Sequence, residues 1–207
     1  MRSAGRLVIL VHVVLLAAVS LAEAEVRLDL HVVGGIEGGV ITGEPRPDAV
    51  AEAGLAAGML LPGRNWGLGV ALDAVGRHTE RFGASEELKL DVLVRFASRD
   101  RRFHWALGAG VRELAIARER GPASRLGGVD LFRLMFDVQL ARSAPARGFG
   151  GAVVSLDLHA GWTFGCYAGE LVLPPVGDMV PPRRTIDCVD TITTAYVAGL
   201  QTSVRWQ

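Results

Sequence analysis

Three residues of the types that form a catalytic triad follow one another closely in the sequence: Ser155, Asp157 and His159. The residues around them alternate between polar and apolar, a pattern that is typical of a β-strand with two different faces. On one strand, residues two positions apart lie about 6.6 Å from each other along a face. A nucleophile and its base need a separation of about 2.6–3.2 Å. One strand alone therefore does not bring these side chains into catalytic contact.

Eight segments share this alternation, and they begin near residues 26, 49, 66, 87, 103, 132, 151 and 192. In the clearest segment, residues 87–96, charged residues alternate with leucine, valine and phenylalanine. Glu113 is an exception, because it falls on the apolar face of the fifth segment, at an interface or beyond a bulge. The charged and histidine residues of the polar faces are Arg27, Asp29, His31, Glu52, Asp73, Arg77, Glu87, Lys89, Asp91, Arg95, His104, Arg112, Arg133, Asp137, Asp157, His159 and Arg205.

The amino terminus predicts export. Arg2 and Arg6 precede an apolar run over residues 7–19, and Ala22-Glu23-Ala24 forms an A-x-A cleavage site. This is the pattern of a cleaved signal peptide at residues 1–24, followed by one domain at residues 25–207. The signal peptide holds two of the 22 basic and one of the 22 acidic residues, so 20 and 21 remain. A mature chain with this balance gives no electrostatic argument for binding nucleic acid.

Hydropathy and connection lengths predict a membrane barrel. Half of the residues are hydrophobic and the mean hydropathy is +0.31, yet no later apolar run approaches the length of a spanning helix. The links near 62–65, 98–102 and 143–148 are short, whereas those near 34–48, 78–86, 115–130 and 165–190 are long. Short periplasmic turns and long extracellular loops are typical of outer-membrane barrels. The alternation alone also fits a soluble, lipocalin-like barrel that binds an apolar ligand.

Aromatic residues of the apolar faces favour the membrane barrel over the soluble one. Trp66, Phe96, Phe103, Trp105 and Trp206 lie beside short turns or the carboxyl terminus, and Phe132, Trp162 and Phe164 lie beside long links. Two such groups predict aromatic girdles at the two membrane interfaces. Glycine and alanine are frequent on the polar faces, where they make room inside a narrow barrel. We therefore predict an all-β, eight-stranded antiparallel up-and-down barrel in a bacterial outer membrane.

The mature chain resembles the small eight-stranded outer-membrane barrels of the OmpA or OmpX type. Its last segment, residues 196–206, is similar to the carboxyl-terminal assembly signal of that class, although the aromatic Trp206 precedes a final Gln207. The resemblance is one of architecture and indicates no specific family. It implies outer-membrane lipid, lipopolysaccharide and the barrel-assembly machinery as partners, and it leaves the surface partner open.

Seven positive and seven negative residues on the polar faces predict a closed interior. A charge-selective pore is expected to carry an excess of one sign, and eight strands leave an interior just wide enough for side chains to fill. We therefore expect an ion-pair network, a structural or surface-interaction role, no cofactor and no metal site. A porin-like path for a narrow solute is the alternative interpretation of the same residues.

One enzymatic alternative rests on His78, which precedes Thr79 and Glu80 at a predicted extracellular loop. Lipid A-modifying enzymes of the outer membrane place catalytic histidines at this height. No serine partner is evident beside His78, because nothing in the sequence fixes the position of Ser85. The sequence therefore favours a role without catalysis.

Cys166 and Cys188 are the two cysteines, and they fit an oxidising compartment. Cys166 follows the outward aromatic residues of the seventh segment, and Cys188 precedes the eighth. Neighbouring antiparallel strands bring these ends together. We predict a disulfide at the base of the fourth long loop.

Overall fold

The computed structural model describes residues 24–39, 48–79, 83–116, 124–146, 151–172 and 183–206. The His78 side chain lies outside this description, as do residues 1–23 of the predicted signal peptide and much of the predicted loops. No helix among the described residues is long and apolar enough to cross a membrane.

Nine strands form one sheet. Their bounds are β1 Glu25–Gly39, β2 Asp48–Leu60, β3 Trp66–Thr79, β4 Gly83–Ala97, β5 Phe103–Ile116, β6 Ser124–Arg142, β7 Val153–Val172, β8 Arg183–Ile186 and β9 Thr193–Trp206. A short 3-10 helix, Val189–Thr191, precedes β9.

The sheet closes into an eight-stranded antiparallel barrel, as the alternation predicts. From β1 to β7 each strand pairs with the next, and β9 pairs with both β7 and β1. The short β8 pairs with the far end of β7 and stands outside the ring. We call the end that holds Glu25, Trp206 and the turns at 61–65 and 98–102 the turn end, and the opposite end the loop end.

Side chains alternate between a buried interior face and an exposed outer face along the strands. On β1, Arg27, Asp29 and His31 are buried, whereas Leu30 and Val32 are exposed. Glu113 lies on the outer face of β5, where its exposed carboxylate is 3.5 Å from Arg125. Its outward position therefore follows the alternation of β5.

The strands at the loop end are longer than the alternation predicts. β1 continues to Gly39, β6 already begins at Ser124, and β7 continues to Val172. Pairing between β6 and β7 extends to Leu126 and Gly169, inside two of the predicted loops. Backbone pairing therefore continues past the regular alternation of side chains.

A bulge in β6 changes which residues face inward. Gly108 pairs with Arg133 and Gly110 with Asp130, so β6 holds one residue more than β5 between these pairs. An inserted residue reverses the alternation. As a result, Asp130 and Arg133 both face the interior although they are three positions apart.

Candidate functional site

The candidate functional site is the charged interior of the barrel, which ion pairs fill in three layers. The lower layer lies towards the turn end and centres on Arg27 of β1. Its guanidinium contacts Asp29 at 2.5 Å, Asp157 at 2.9 Å and Asp137 at 3.3 Å. The same group donates to the Ser203 hydroxyl at 2.8 Å, and Arg95 pairs with the other oxygen of Asp29. Five strands, β1, β4, β6, β7 and β9, therefore meet through this layer.

The middle layer centres on Arg133 of β6. Its guanidinium reaches Asp91 at 2.6 Å and Glu52 at 2.7 Å, and it also pairs with Asp73. Lys89 adds a second cation, with its ammonium 3.2 Å from Glu52. Arg133 and Asp73 are both almost completely buried. Because buried charges need partners, the carboxylates of β2, β3 and β4 and the cation of β6 depend on each other.

Two stacked histidines join the lower and middle layers. The rings of His31 and His159 are 5.0 Å apart between centroids and nearly parallel. Nε2 of His31 lies 2.9 Å from Asp73 in the middle layer. Nδ1 of His159 lies 2.6 Å from Asp137 in the lower layer. The two rings therefore link carboxylates of both layers.

The upper layer lies towards the loop end and surrounds Glu87. Arg77 pairs with Glu87 and Glu37. The Tyr167 hydroxyl donates to Glu87 at 2.6 Å. Arg112 lies 3.2 Å from Asp130 and stacks over the Tyr167 ring at 4.2 Å from its centroid. This layer joins strands β1, β3, β4, β5, β6 and β7.

Sequence reasoning missed four members of the interior: Glu25, Glu37, Asp130 and Tyr167. Glu25, Glu37 and Tyr167 follow the alternation of their strands, so extending β1 and β7 would have found them. Asp130 lies beyond the β6 bulge, where alternation gives no signal. With these additions, the described residues hold ten buried carboxylates and seven buried lysine or arginine side chains, whereas the sequence predicts equal numbers of the two.

Apolar side chains fill the space beside the ion pairs. One cluster consists of Ala56, Ala71, Leu93, Ala106 and Met135. A second consists of Val33, Val50, Val75 and Val197. The interior is therefore mixed in character, with small and aliphatic residues packed between charged layers.

The turn between β4 and β5 lies across the turn end of the interior. The Arg101 carbonyl accepts a hydrogen bond from Arg205 of β9 at 3.3 Å and lies 3.0 Å from Nε2 of His104. The Arg101 side chain pairs with Glu25 of β1 at 3.2 Å. Because β1 and β9 lie opposite β4 and β5 in the ring, this turn crosses beneath the interior.

Asp100 holds that turn in shape. Its carboxylate accepts hydrogen bonds from the Ser98 hydroxyl at 2.5 Å and from the Arg102 N–H at 3.2 Å. These bonds stabilise the ionised carboxylate and lower the pKa of Asp100 below its ordinary value. The turn is therefore held by its own side chains.

The contacts of Asp157 and His159 are not those of a catalytic triad with Ser155. Asp157 accepts from Arg27 and from the Ser203 hydroxyl, and His159 faces Asp137. For His78, the structure gives only backbone pairing, with Ala84 of β4 and Ala49 of β2. Catalysis at His78 stays an alternative that these backbone contacts do not test.

One cluster of metal-ligand types is present that the sequence spacing does not indicate. One ligand atom each of His31, Glu52 and Asp73 lies within 4.8 Å of the others. Arg133 and Lys89 already pair with these carboxylates. The residues present therefore form an ion-pair network around the imidazole.

Cys166 and Cys188 form a disulfide at the loop end, with their Cα atoms 5.0 Å apart. Nearby, the Thr191 hydroxyl oxygen of the 3-10 helix accepts a hydrogen bond from the Tyr167 N–H at 2.9 Å. The covalent bond and this hydrogen bond hold the segment before β9 against β7.

The predicted aromatic residues form rows on the outer face. Trp66 pairs with Phe96, Phe96 with Trp105 and Trp105 with Phe136, which gives one row across four strands near the turn end. Phe96 and Trp105 stack at 3.9 Å between centroids. Nearer the loop end, Phe132 contacts Trp162 at 5.3 Å and Trp162 contacts Tyr196 at 6.2 Å. Phe103 and Phe164 lie in the same two regions as their strand neighbours, and Trp206 ends β9 at the turn end.

The architecture is a closed, eight-stranded antiparallel barrel. Among solved structures, the chain is similar to the crystal structure of Neisserial surface protein A (NspA), with 11% sequence identity and a TM-score of 0.49. The similarity covers 88% of this chain and 96% of that one. No protein-family model matches the sequence, and no curated protein matches it significantly.

Proposed function

We propose that the mature chain is an integral protein of a bacterial outer membrane, with a closed, charged interior and a structural or surface-interaction role. The observation that carries this proposal is the distribution of apolar side chains. The outer face exposes aliphatic residues between two groups of aromatic residues, whereas ion pairs fill the interior. A soluble barrel with an apolar ligand needs the opposite arrangement.

The exposed outer face is apolar to a degree that water does not favour. Val32 is 71% exposed, Val92 64% and Leu140 57%. Contiguous apolar patches of more than a few hundred Å² are rare on soluble monomers. We call the exposed apolar residues of the outer face, such as Val32, Val92 and Leu140, the belt. Lipid acyl chains are the surroundings that such a belt requires.

The height of the belt fits the apolar layer of an outer membrane. On the outer face of β5, apolar residues run from Phe103 at the turn end to Glu113, the first charged residue. This span is about 33 Å along the strand. A strand tilt of roughly 35–45° reduces it to about 25 Å, the height of the lipid-facing band in such barrels.

Charged residues begin on the outer face directly beyond that height. Glu113 lies 3.5 Å from Arg125, and Glu170 lies 3.0 Å from Arg183. All four side chains are mostly exposed. In this proposal the pairs mark the outer interface, and Arg183 and Arg184 meet the phosphates of lipopolysaccharide. The loop end then faces the exterior and the turn end the periplasm.

Signal cleavage and assembly complete the proposal. Residues 1–24 direct export and are removed, and β9 engages the barrel-assembly machinery through its last residues. The loops present a surface for an external partner. No cofactor is needed for this role.

Cell fractionation tests the location. We expect the mature protein to sediment with outer membranes, to need detergent for extraction, and to change its mobility on SDS gels after boiling. Recovery as a soluble periplasmic or secreted monomer would instead support the lipocalin-like alternative and overturn the membrane proposal.

A charge placed in the middle of the belt tests whether lipid or water surrounds the outer face. Val92→Arg should destabilise the folded barrel by about 2–4 kcal/mol in lipid, because arginine at mid-membrane depth is costly. Ala168→Arg is the matched control, since Ala168 is exposed above the belt, two residues from Glu170 on β7 and in the same cross-strand row as Gly127 and Glu113. In water both substitutions should lie within about 0.5 kcal/mol of the parent. Equal stability of the two variants would therefore argue against a lipid-facing belt.

A further inference from the structure

A small cavity lies at the turn end, between the β4–β5 turn and the ends of β6, β7 and β9. Its volume is about 130 Å³. The residues that line it are Asp100, Arg101, Arg142, Gly151, Val153 and Arg205. Three arginines thus share a cavity with one carboxylate.

Arg205 differs from the other buried lysine and arginine side chains of the interior because it has no carboxylate partner among the described residues. Arg27, Arg77, Lys89, Arg95, Arg112 and Arg133 each have a carboxylate within 4.0 Å. Arg205 is 7% exposed, and no carboxylate of the described residues lies within that distance. It donates to the Arg101 carbonyl, while its Nε has no hydrogen-bond partner among the described residues. A buried guanidinium with an unused donor is costly unless an anion meets it.

The two other arginines add to the positive charge of the cavity. Arg142 ends β6 opposite Ser155, whose side chain faces the interior. Arg101 pairs with Glu25 through Nε, but its buried Nη1 has no hydrogen-bond partner among the described residues. Asp100 is the one carboxylate residue among the lining residues, and its Oδ1 accepts hydrogen bonds from Ser98 and Arg102 within its own turn. The cavity therefore offers several guanidinium donors and few acceptors.

We propose that this cavity binds a phosphate group. Guanidinium forks match the oxygens of phosphate, and such charge-assisted hydrogen bonds are strong. The three arginines approach the cavity from one turn and from the ends of two strands, β6 and β9. A tetrahedral phosphate presents oxygens in several directions and can meet all three, whereas a carboxylate presents two oxygens in one plane. The phosphate comes from a soluble phosphate compound or from a phospholipid headgroup.

Titration calorimetry with inorganic phosphate tests the site in the full mature protein, held in a phosphate-free non-ionic detergent. We expect saturable one-site binding at constant ionic strength set with sodium chloride. Arg142→Gln and Arg205→Gln should each weaken it at least about tenfold, since each removes charge-assisted bonds. Arg64→Gln is the matched control, because Arg64 is an exposed arginine in the β2–β3 turn at the same end and does not line the cavity.

Folding is checked by the heat-dependent mobility of each variant on SDS gels. Arg142 lies exposed at a strand end, so Arg142→Gln tests the site even if Arg205→Gln does not assemble. No saturable binding, or equal weakening in Arg64→Gln, would overturn the proposal. Competition with glycerophosphoglycerol, a phosphodiester headgroup, then distinguishes the sources: displacement indicates a lipid headgroup, and its absence indicates a soluble phosphate compound.

Discussion

Arg133 shows how one side chain can hold several strands of this barrel together. Its guanidinium pairs with Glu52 of β2, Asp73 of β3 and Asp91 of β4, while its own strand, β6, lies on the other side of β5. Every one of these side chains is nearly inaccessible to solvent. The pairing offsets the cost of burying three carboxylates, so the cation and its partners act as one unit.

Replacing Arg133 with methionine should destabilise the barrel by about 3–5 kcal/mol, because it leaves buried carboxylates without their shared cation. Arg125→Met is the control, since within the described parts of the chain Arg125 makes only an exposed pair with Glu113; its cost should stay below about 1 kcal/mol. Urea unfolding in lipid vesicles, followed by tryptophan fluorescence, measures both. If the two variants unfold at the same urea concentration, the interior pairs contribute little to stability.

Alternation predicts the interior well where a strand is regular and fails where the backbone is not. Arg27, Asp73 and Arg133 are buried and paired as members of a charged interior. Alternation does not predict that Asp130 faces the interior, because the β6 bulge reverses the alternation between Asp130 and Arg133. The contacts across the barrel, such as Arg27 with Asp137, depend on strand positions that no local pattern specifies.

Glycines on the interior face of the strands make room for close packing. A Cβ at Gly110 of β5 would meet the Leu90 carbonyl oxygen and lie 2.7 Å from the Asp91 Cα. Both obstacles belong to the β4 backbone, which cannot rotate away. At Gly127 of β6, which is exposed, a Cβ would meet nothing within 4 Å.

These two glycines should respond to alanine with opposite signs. Gly110→Ala should cost about 1–3 kcal/mol through overpacking. Gly127→Ala should be neutral or stabilise by up to about 1 kcal/mol, because it restricts the unfolded chain. The same urea titration compares them. A similar cost for both would mean that backbone freedom, rather than interior space, decides the choice of glycine.

The disulfide at the loop end joins Cys166 and Cys188, which are 22 positions apart in the sequence. Replacing both cysteines with serine should lower stability by about 3 kcal/mol in the chain-entropy model, because the unfolded chain regains freedom. Mass spectrometry of a non-reduced digest should find the two cysteine peptides joined. Free alkylation of both thiols in protein taken from the native envelope would contradict this pairing.

Strand ends are the part of each element that the sequence predicts least well. The alternation ends early in β1 and β7, yet both strands continue to Gly39 and Val172. Beyond the apolar belt the outer face is polar, so side-chain type no longer distinguishes strand from loop. Backbone pairing and the disulfide continue the hairpin there.

Closure is the property of the whole molecule that the sequence predicts most directly. An even number of alternating segments lets the first and last strands pair antiparallel, and β1 and β9 do so along fourteen residue pairs. A closed ring leaves no unpaired strand edge, which is the requirement for a barrel in lipid. The number of strands then fixes the interior width.

The last prediction concerns passage through the closed ring. Ion pairs from opposite walls cross the interior in three layers, as Arg27 does with Asp137 and Arg133 with Glu52. Below them, the β4–β5 turn reaches Arg205 on the far wall through the Arg101 carbonyl. Opening a continuous water path would require separating several buried charge pairs at once, each at a cost of several kcal/mol. Purified protein in planar bilayers should therefore show no steady conductance of porin size. Large, regular channel openings would mean that these layers separate readily and that the interior is a gated path. Because the interior holds more buried carboxylates than lysine and arginine side chains, such a path would favour cations.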